Sequence, residues 1–158
     1  MQRVGFGYDA HRFAGGRRLV LAGVEVPFEL GLHGYSDADV LTHAVIDALL
    51  GAAGLGDIGS HFPSSDPEYE GISSLELLRR TGKLLEREGW TPVNVDVTAV
   101  LERPRLAPYA DRMRSSLARA LGIARDQVSV KSKTTDGLGF PGRSEGIEAH
   151  AVALIERP

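Results

Sequence analysis

The chain has 158 residues, of which 42% are hydrophobic and 25% are charged. These values are typical of one soluble globular domain with its own core, and we predict a single domain over residues 1–158. The net charge of −3 gives no electrostatic basis for binding nucleic acid. The lack of cysteine excludes disulfides, thiolate nucleophiles and cysteine-based zinc sites.

The sequence predicts neither a membrane span nor a targeting segment. No apolar run reaches the roughly 18 residues that a transmembrane helix requires. The first predicted strand starts at the second residue, which leaves no room for a signal or transit peptide. We therefore expect a cytoplasmic protein without a membrane partner.

Strands are predicted where apolar and polar residues alternate, and helices where apolar residues recur every three to four positions. The predicted elements, in chain order, are a strand over residues 2–13, a hairpin over 18–28 turned near Gly23, a loop over 31–36, a helix over 39–53 ended by Gly54, a long loop over 56–69, a helix over 73–88 ended by Gly89, a strand over 93–101, a helix opened by Pro108 and ended by Gly122, a strand over 127–131, a glycine-rich turn over 137–142 and a strand over 146–156. This order indicates an α+β fold, an α/β sandwich, in which helices cover one face of a mixed β-sheet.

The last strand carries apolar residues on both faces. Val152 and Leu154 share their face with Glu148 and His150, opposite the alternating residues predicted to form the core. Helices on one side of the sheet would leave this second apolar surface exposed, which predicts burial against other subunits.

A metal site is predicted from Asp9, His11 and His43. Asp9 and His11 share one face of the first strand, with Cα atoms about 6.5–7 Å apart, although a solvated strand face is the alternative. His43 and Asp47, on a helix face away from its buried stripe, are neighbours one turn apart. Two histidines and a carboxylate leave an open fourth position, as in catalytic zinc sites. The alternative for His43 is a satisfied histidine at the core edge, and Asp47 either accepts from its second ring nitrogen or faces solvent.

Two polar segments have the composition of phosphate-binding sites. Residues 36–39 (SDAD) begin a helix, where free N–H groups and the helix dipole attract anions, although ordinary capping, including a Ser36–Asp39 capping box, is the alternative. A second capping box is predicted at Ser73 and Glu76. Residues 131–137 (KSKTTDG) suit a diphosphate with a magnesium ion on Asp136, the alternative being a polar strand-to-turn transition.

The G-x-G-x-x-G pattern at residues 137–142 is not a dinucleotide fingerprint, because a strand pattern rather than a helix follows it. No G-x-S-x-G or Walker sequence is present, which argues against serine hydrolases and P-loop proteins. The remaining histidines lack ligand spacing. We interpret His33 and His61 as loop residues and His150 as strand surface or interface.

Taken together, these stretches resemble the 2-C-methyl-D-erythritol 2,4-cyclodiphosphate synthase family of the non-mevalonate isoprenoid pathway, nearly from end to end. The segments that carry the resemblance are G-x-D-x-H at residues 7–11, SDADV at 36–40, His43, DALLGA at 47–52, GDIG at 56–59, Phe62-Pro63, NVD at 94–96, Thr134-Thr135, LGF at 138–140 and GRSEG at 142–146. Four positions depart from the family pattern: Tyr35 stands where His is usual, Ser64 where Asp, Lys133 where Thr and Asp136 where Glu.

The resemblance implies an enzyme, a cyclising phosphorus–oxygen lyase. In its reaction, the 2-phosphate of 4-diphosphocytidyl-2-C-methyl-D-erythritol 2-phosphate attacks the diphosphate phosphorus nearer the erythritol, and CMP leaves. It also implies a homotrimer with active sites between adjacent subunits and with the uncovered sheet face packed inside. Two alternatives stay open: a metal-dependent phosphoester hydrolase, and a non-catalytic trimer that binds isoprenoid diphosphates near Phe140, Arg143 and Glu145. For these three residues, the alternative is a turn held by an Arg–Glu pair.

The resemblance also implies roles for individual residues. Asp9, His11 and His43 would hold one zinc ion per subunit, and Asp136 a magnesium or manganese ion bound with the substrate diphosphate. Tyr35, Thr134 and Asp136 would be catalytic. The residues implied to contact substrate are Asp9, His11, Tyr35, Ser36, Asp57, Ile58, Gly59, Phe62, Ser64, Asp66, Leu101, Pro104, Arg105, Leu106, Ala107, Ser132, Lys133, Thr134, Thr135, Phe140 and Arg143.

Overall fold

The computed structural model describes all residues from 1 to 158. It contains seven strands and five α-helices, with three short 3₁₀ turns between them. The strands are β1 (Gln2–Ala14), β2 (Leu19–Leu21), β3 (Val24–Val26), β4 (Gly31–Leu32), β5 (Thr91–Val100), β6 (Val128–Lys133) and β7 (Gly146–Glu156). The helices are α1 (Val40–Ala53), α2 (Ile58–His61), α3 (Ser74–Arg87), α4 (Ala110–Leu121) and α5 (Gly139–Gly142). None of these helices combines the length and apolar character needed to cross a membrane.

Five strands form one mixed sheet in the order β4-β1-β7-β5-β6, and β2 and β3 form a separate hairpin. The central strand β7 pairs antiparallel with β1 on one side and with β5 on the other, whereas β5 and β6 run parallel. Helices α1, α3 and α4 pack on one face of this sheet. The predicted α+β sandwich is therefore confirmed.

Glycines in β1 allow α1 to lie directly on the sheet. A Cβ atom at Gly5 would stand 1.9 Å from the carbonyl oxygen of Ala48, and one at Gly7 would stand 1.9 Å from that of Ala44. Such distances are impossible for real atoms, so only glycine permits this approach. Because Gly5, Gly7, Asp9 and His11 alternate along one strand, the same close contact brings the start of α1 to Asp9 and His11.

Helix α1 is buried on nearly all sides, since the sheet covers one side of it and α3 another. The sequence predicted a single buried stripe, with His43 on a different face, but His43 is also buried. The buried carboxylate of Asp39 caps this helix. It accepts from the N–H groups of Ala22, Gly23 and Thr42 and from the Thr42 hydroxyl, at 2.7–3.1 Å. These bonds also tie the β2–β3 turn to the helix.

Both predicted capping boxes are wrong. Asp39 is itself the N-cap of α1, and Ser36 lies outside the helix. Ser73 is the N-cap of α3 but makes no capping hydrogen bond with its side chain, and Glu76 instead pairs with Arg79 and Arg80. Arginine side chains within reach gave Glu76 a stronger charged partner than a backbone N–H.

Three predicted loops contain short regular elements. Residues 31–36 begin with β4, whose two residues pair with Phe13 and Ala14 at the end of β1. The long loop over 56–69 holds α2 and a 3₁₀ turn. The glycine-rich turn over 137–142 contains the one-turn helix α5, which is too short for the helix that a dinucleotide fingerprint opens. Elements of two to four residues leave no periodic signal in a sequence.

The sheet face away from the helices exposes an apolar surface, as predicted. Val4, Phe6, Tyr8 and Val152 are 45–69% exposed there, and the Tyr8 hydroxyl donates to Glu148 at 2.9 Å. The ring of His150 lies between Phe6 and Tyr8, with centroids 5.9 and 5.0 Å away. His150 therefore lies on the strand surface, as the sequence indicated.

Candidate metal centre

The side chains of Asp9, His11 and His43 converge at the junction of β1 and α1. Asp9 Oδ2 lies 2.8 Å from His11 Nε2 and 3.0 Å from His43 Nδ1, and the two ring nitrogens are 3.3 Å apart. These three atoms form the one group of metal-ligating side chains in the chain that clusters within 4.8 Å. The predicted triad is therefore assembled within a single subunit.

The cluster is partly shielded from solvent. The side chains of Asp9, His11 and His43 are 28%, 18% and 11% exposed. Burial alone would raise the pKa of Asp9, but hydrogen bonds and charge from both histidines lower that pKa well below its usual range. Burial lowers the pKa of His11, whereas the hydrogen bond and charge of Asp9 raise it. The pKa of His11 is raised overall. The carboxylate is thus held ionised, as a metal ligand must be.

His11 is oriented by the backbone of the neighbouring loop. Its Nδ1 lies 2.7 Å from the carbonyl oxygen of His33, so in the neutral ring that would bind a metal we assign the proton to Nδ1 and the lone pair to Nε2, which faces the cluster. Arg17 holds the same loop by donating to the carbonyl oxygens of Gly34 and Ser36, each at 2.8 Å. The side chain of His33 itself is exposed and takes no part.

The second ring nitrogen of His43 meets two serine hydroxyls. Its Nε2 lies 2.8 Å from Ser74 Oγ and 3.2 Å from Ser36 Oγ. Both proposals for Asp47 are therefore incorrect: its carboxylate accepts from the N–H of Ile58 at 2.7 Å and anchors the start of α2. Sequence reasoning missed Ser74, because it lies 31 residues from His43 and no periodic pattern connects them.

The residues implied to bind the erythritol lie on the segment around α2. Asp57 caps this helix by accepting from the N–H and hydroxyl of Ser60, and Ile58 and Gly59 form its first turn. The ring of Phe62 packs against Tyr69 with centroids 5.6 Å apart. Asp66 Oδ1 accepts from the N–H of Glu68, and its carbonyl accepts from the Tyr35 hydroxyl at 3.2 Å. Ser64 is exposed.

The segments implied to receive cytidine and diphosphate lie around β6, the edge strand at the end of the sheet away from β4. Leu106, Ala107 and Ser132 help to line one cavity of about 260 Å³. Glu102 accepts from the N–H groups of Thr135 and Gly137 at 3.2 Å, which holds the exposed turn that carries Thr134 and Asp136. The exposed residues here include Arg105, Lys133, Thr134 and Asp136, whereas Leu101 is buried and Pro104 and Thr135 are partly buried.

Three other predictions for charged and polar segments can be compared with the contacts in the structure. Lys131 donates to Asp96 at 2.6 Å, so only Lys133 of the two lysines is unpaired. Arg143 pairs with Glu145 at 2.7 Å, as the Arg–Glu alternative proposed, and Phe140 lies beside them in α5. At the start of α1, the carboxylate of Asp39 accepts from the N–H of Thr42 as a helix cap.

The two groups of site residues lie at the same level of the sheet but on separate strands. The register aligns Asp9 with Ala149, Ala149 with Ala99, and Ala99 with Ser132. Three strand spacings of about 4.8 Å place Ser132 roughly 14 Å from Asp9 across the sheet. Within one subunit, Ser132 is therefore separated from the metal cluster by the width of two strands.

Comparisons with known proteins identify the family. A family model described as the YgbB family matches residues 2–156. The chain belongs to the YgbB family. A relative from Syntrophomonas wolfei, named 2-C-methyl-D-erythritol 2,4-cyclodiphosphate synthase, is 61% identical over 155 residues, which cover 98% of this chain and 99% of the relative.

Solved structures agree with this membership of the YgbB family. A structure of a 2C-methyl-D-erythritol-2,4-cyclodiphosphate synthase in a CDP-bound form is 38% identical, with a TM-score of 0.89, and the match covers 98% of this chain and all of that chain. The bifunctional IspDF of Campylobacter jejuni is 36% identical with a TM-score of 0.96; this chain aligns over its full length but spans only 43% of that longer chain. The resemblance inferred from the motifs is confirmed. These relatives support neither the hydrolase nor the non-catalytic alternative.

The side chains of Asp9, His11 and His43 are suitable ligands for a metal ion. One carboxylate oxygen and two imidazole nitrogens point at a common centre, and three protein ligands leave a coordination position open for substrate. The second nitrogen of each imidazole is engaged by protein, which is typical of metal-binding histidines. The cluster is therefore a potential metal-binding site.

Proposed function

We propose that this chain converts 4-diphosphocytidyl-2-C-methyl-D-erythritol 2-phosphate to 2-C-methyl-D-erythritol 2,4-cyclodiphosphate and CMP. The observation that carries this proposal is the convergence of Asp9, His11 and His43 in a chain that matches synthases along its whole length. An oxygen of the 2-phosphate forms a bond to the diphosphate phosphorus nearer the erythritol. The bond from that phosphorus to the CMP oxygen breaks, and CMP leaves with the bonding electron pair.

This reaction requires no covalent nucleophile from the protein, because the substrate contains the attacking phosphate. The chain needs to hold the attacking and leaving groups in line and to neutralise charge on the phosphoryl oxygens. In the proposal, Asp57, Ile58, Gly59 and Phe62 position the erythritol, together with Ser64 and Asp66. Tyr35 contributes a hydroxyl at the edge of this pocket, where its bond to the Asp66 carbonyl already directs it.

Zinc is the proposed ion at Asp9, His11 and His43, and a bound ion would supply positive charge to a phosphate oxygen. Ser36 is proposed to contribute its backbone N–H to phosphate. Its hydroxyl is engaged with His43 and with the N–H of Ala38, whereas its own N–H has no acceptor within the chain.

The second half of the proposed site holds the nucleotide. Asp136 would hold magnesium or manganese, which prefer carboxylate oxygen ligands, and Thr134 would contact the same diphosphate. Cytidine and the diphosphate would be received by Leu101, Pro104, Arg105, Leu106, Ala107, Ser132, Lys133 and Thr135. The cavity lined by Leu106, Ala107 and Ser132 supports this placement. For Phe140 and Arg143, the proposal is contact with substrate or with a second diphosphate ligand.

A homotrimer with active sites between subunits is part of the proposal. The separation of roughly 14 Å between Asp9 and Ser132 across the sheet supports it, because these two residues of one subunit do not contact each other. The exposed apolar surface around Phe6 and Val152 supports burial inside an oligomer. The chain would act as one domain, in the cytoplasm.

Phosphorus NMR of the diphosphocytidyl substrate with the protein, Zn²⁺ and Mg²⁺ tests the proposal. We expect two coupled phosphorus signals of a cyclic diphosphate, appearing in step with CMP. Inorganic phosphate or a linear product would instead establish hydrolysis. An unchanged substrate in the presence of a folded, zinc-loaded oligomer would overturn the proposed activity.

A further inference from the structure

We propose that Asp37 and Ser74 act as a positioning pair that orients the ring of His43 for metal binding. The inference rests on the proposed metal role of Asp9, His11 and His43. It assigns a function to two residues that lie outside the cluster and that touch neither the metal nor the substrate.

The two ring nitrogens of His43 face different groups. Nδ1 faces Asp9 Oδ2 at 3.0 Å and His11 Nε2 at 3.3 Å, so it is the ligand atom. A neutral imidazole carries its proton on the other nitrogen, and we therefore assign that proton to Nε2. Nε2–H donates to Ser74 Oγ at 2.8 Å, with Ser36 Oγ a more distant acceptor at 3.2 Å.

The carboxylate of Asp37 determines which way the Ser74 hydroxyl points. Ser74 Oγ lies 2.5 Å from Asp37 Oδ1, and the N–H of Ser74 donates to Asp37 Oδ2 at 3.0 Å. A hydroxyl has one proton, and an ionised carboxylate can only accept. Since that proton goes to Asp37, the lone pairs of Ser74 Oγ are left to accept from His43.

Burial strengthens the preference of this arrangement for one tautomer of the His43 ring. Ser74 is fully buried and His43 is 8% exposed, so water does not replace the hydrogen bond between them. A His43 ring protonated on Nδ1 would leave Nε2 as a second acceptor facing Ser74, whose only proton is directed to Asp37, and the Ser36 hydroxyl at 3.2 Å would be the one donor left to it. The pair thus favours the tautomer whose Nδ1 lone pair points at the cluster.

Zinc affinity, measured by competition with a chromophoric chelator, provides the first test and uses zinc alone as the probe. We expect Ser74→Ala to weaken zinc binding by about 10–100-fold, the usual effect of removing such a partner. The matched control is Ser73→Ala at the same helix start, because the Ser73 side chain makes no capping bond and is exposed. Wild-type zinc affinity in a folded Ser74→Ala protein would overturn the inference.

A double-variant cycle tests whether Asp37 acts through Ser74. We expect Asp37→Asn alone to weaken zinc binding, by less than Ser74→Ala does. In the Asp37→Asn/Ser74→Ala protein, we expect the affinity of Ser74→Ala alone, because the intermediary is already missing. Fully additive losses would show that Asp37 acts by another route and would overturn the pairing.

Nitrogen-15 NMR of labelled histidine separates positioning from general destabilisation. In the metal-free protein the Asp9 carboxylate, 3.0 Å from Nδ1, competes for the ring proton, so we expect wild type to hold a larger Nε2–H fraction of His43 than Ser74→Ala does. An unchanged ratio of the two His43 tautomers in Ser74→Ala would overturn the inference even if the variant were less stable. Should Ser74→Ala not fold, Asp37→Asn is judged by the same two measurements.

These outcomes are independent of the proposed reaction. A protein that binds zinc with the expected dependence on Ser74 but does not cyclise the substrate would refute the proposed function and leave the positioning pair intact. A protein that cyclises the substrate but whose zinc affinity does not depend on Ser74 would refute the positioning pair and leave the proposed function intact.

Discussion

The metal cluster and the turn that carries Asp136 are proposed to act on one substrate, yet they are built in opposite ways. Asp9, His11 and His43 come from a long strand and a buried helix, and each is fixed by neighbouring side chains or backbone. Asp136 sits on an exposed turn in the left-handed conformation, at φ 53°, and its carboxylate has only a long contact of 3.4 Å with the Thr134 hydroxyl.

This contrast shows which half of the site the single chain completes. Ligands held by packed elements keep their geometry before any ion or substrate arrives, which lowers the cost of binding a metal. The turn at Thr134–Gly137 is held mainly by Glu102 and lacks partners on its outer side. Substitutions in the packed elements should therefore affect metal binding most, and substitutions in the exposed turn should affect it least.

Replacing His43 with alanine should have the largest effect. His43→Ala removes one of three ligands and the imidazole that contacts the buried Ser74 hydroxyl, which keeps its bond to Asp37. We expect loss of zinc binding and of most turnover, with the fold and the oligomer retained at a cost of about 1–3 kcal/mol. Metal analysis, turnover and sedimentation measure the three quantities. His33→Ala is the control, because the His33 side chain is exposed and only its carbonyl contacts His11. Wild-type turnover in verified zinc-free His43→Ala would refute the zinc assignment.

Gly7→Ala should separate α1 from β1. The added Cβ atom would lie 1.9 Å from the carbonyl oxygen of Ala44, so the helix must move. We expect the free energy of unfolding to fall by about 3 kcal/mol, at the upper end for overpacking, and zinc affinity to fall with it. Urea unfolding of metal-free protein measures the first effect. Gly15→Ala meets no atom within 4 Å and should change stability by less than about 0.5 kcal/mol. Equal stability of the two variants would refute the importance of this contact.

Zinc binding and metal-free stability should respond to pH in opposite directions. The net-raised pKa of His11 means that protons compete with zinc, so affinity should rise about tenfold per pH unit until His11 is deprotonated. Without metal, stability from His11 is complete below its unfolded pKa of about 6.5 and is lost as pH rises through the raised value. Stability from Asp9, whose pKa is lowered, is present above about pH 3.9 and is lost as pH falls through the lowered value.

Chelator competition and urea unfolding across pH 5–8 test these opposite trends. The control variant is Asp9→Asn, which removes the charge that raises the pKa of His11. We expect metal-free stability to become flatter with pH above about pH 6 in this variant. A metal-free wild-type protein that gains stability as pH rises from 6 to 8 would contradict the assigned role of the Asp9–His11 pair.

The sequence predicted the Asp9–His11 pair and the long elements because each has a local signal, whereas His43 was added as third ligand from its residue type and from the family resemblance. Strand β7 has the predicted bounds, since its alternation continues without interruption from Gly146 to Glu156. Asp9 and His11 share a strand face, which any extended segment imposes. The left-handed Gly54, at φ 73°, ends α1 where predicted.

Features that depend on tertiary packing were not predictable. Ser74 is at hydrogen-bond distance from both Asp37 and His43 only because α3 packs beside the start of α1. Asp47 resembles a partner for His43 by spacing, but the chain after α1 turns back and supplies the N–H of Ile58 instead. Hydrogen bonds between distant segments form only in the assembled fold, so they cannot be predicted from residue spacing.

The smallest effect on the metal half is expected from Asp136→Asn. This side chain is exposed and contributes no packing, so zinc affinity should be unchanged and stability should differ by less than about 0.5 kcal/mol. The loss of one carboxylate should instead raise the magnesium concentration needed for half-maximal turnover, because neutral amide oxygens bind Mg²⁺ less strongly than carboxylate oxygens.

A magnesium titration of turnover at saturating zinc measures this effect. Asp126→Asn provides the control, since Asp126 is also exposed and makes no hydrogen bond or ion pair within the chain. If Asp136→Asn kept the wild-type magnesium dependence, the second ion would have to bind elsewhere. If it lost zinc as well, the two halves of the site would be coupled within one subunit, contrary to their separation of roughly 14 Å across the sheet.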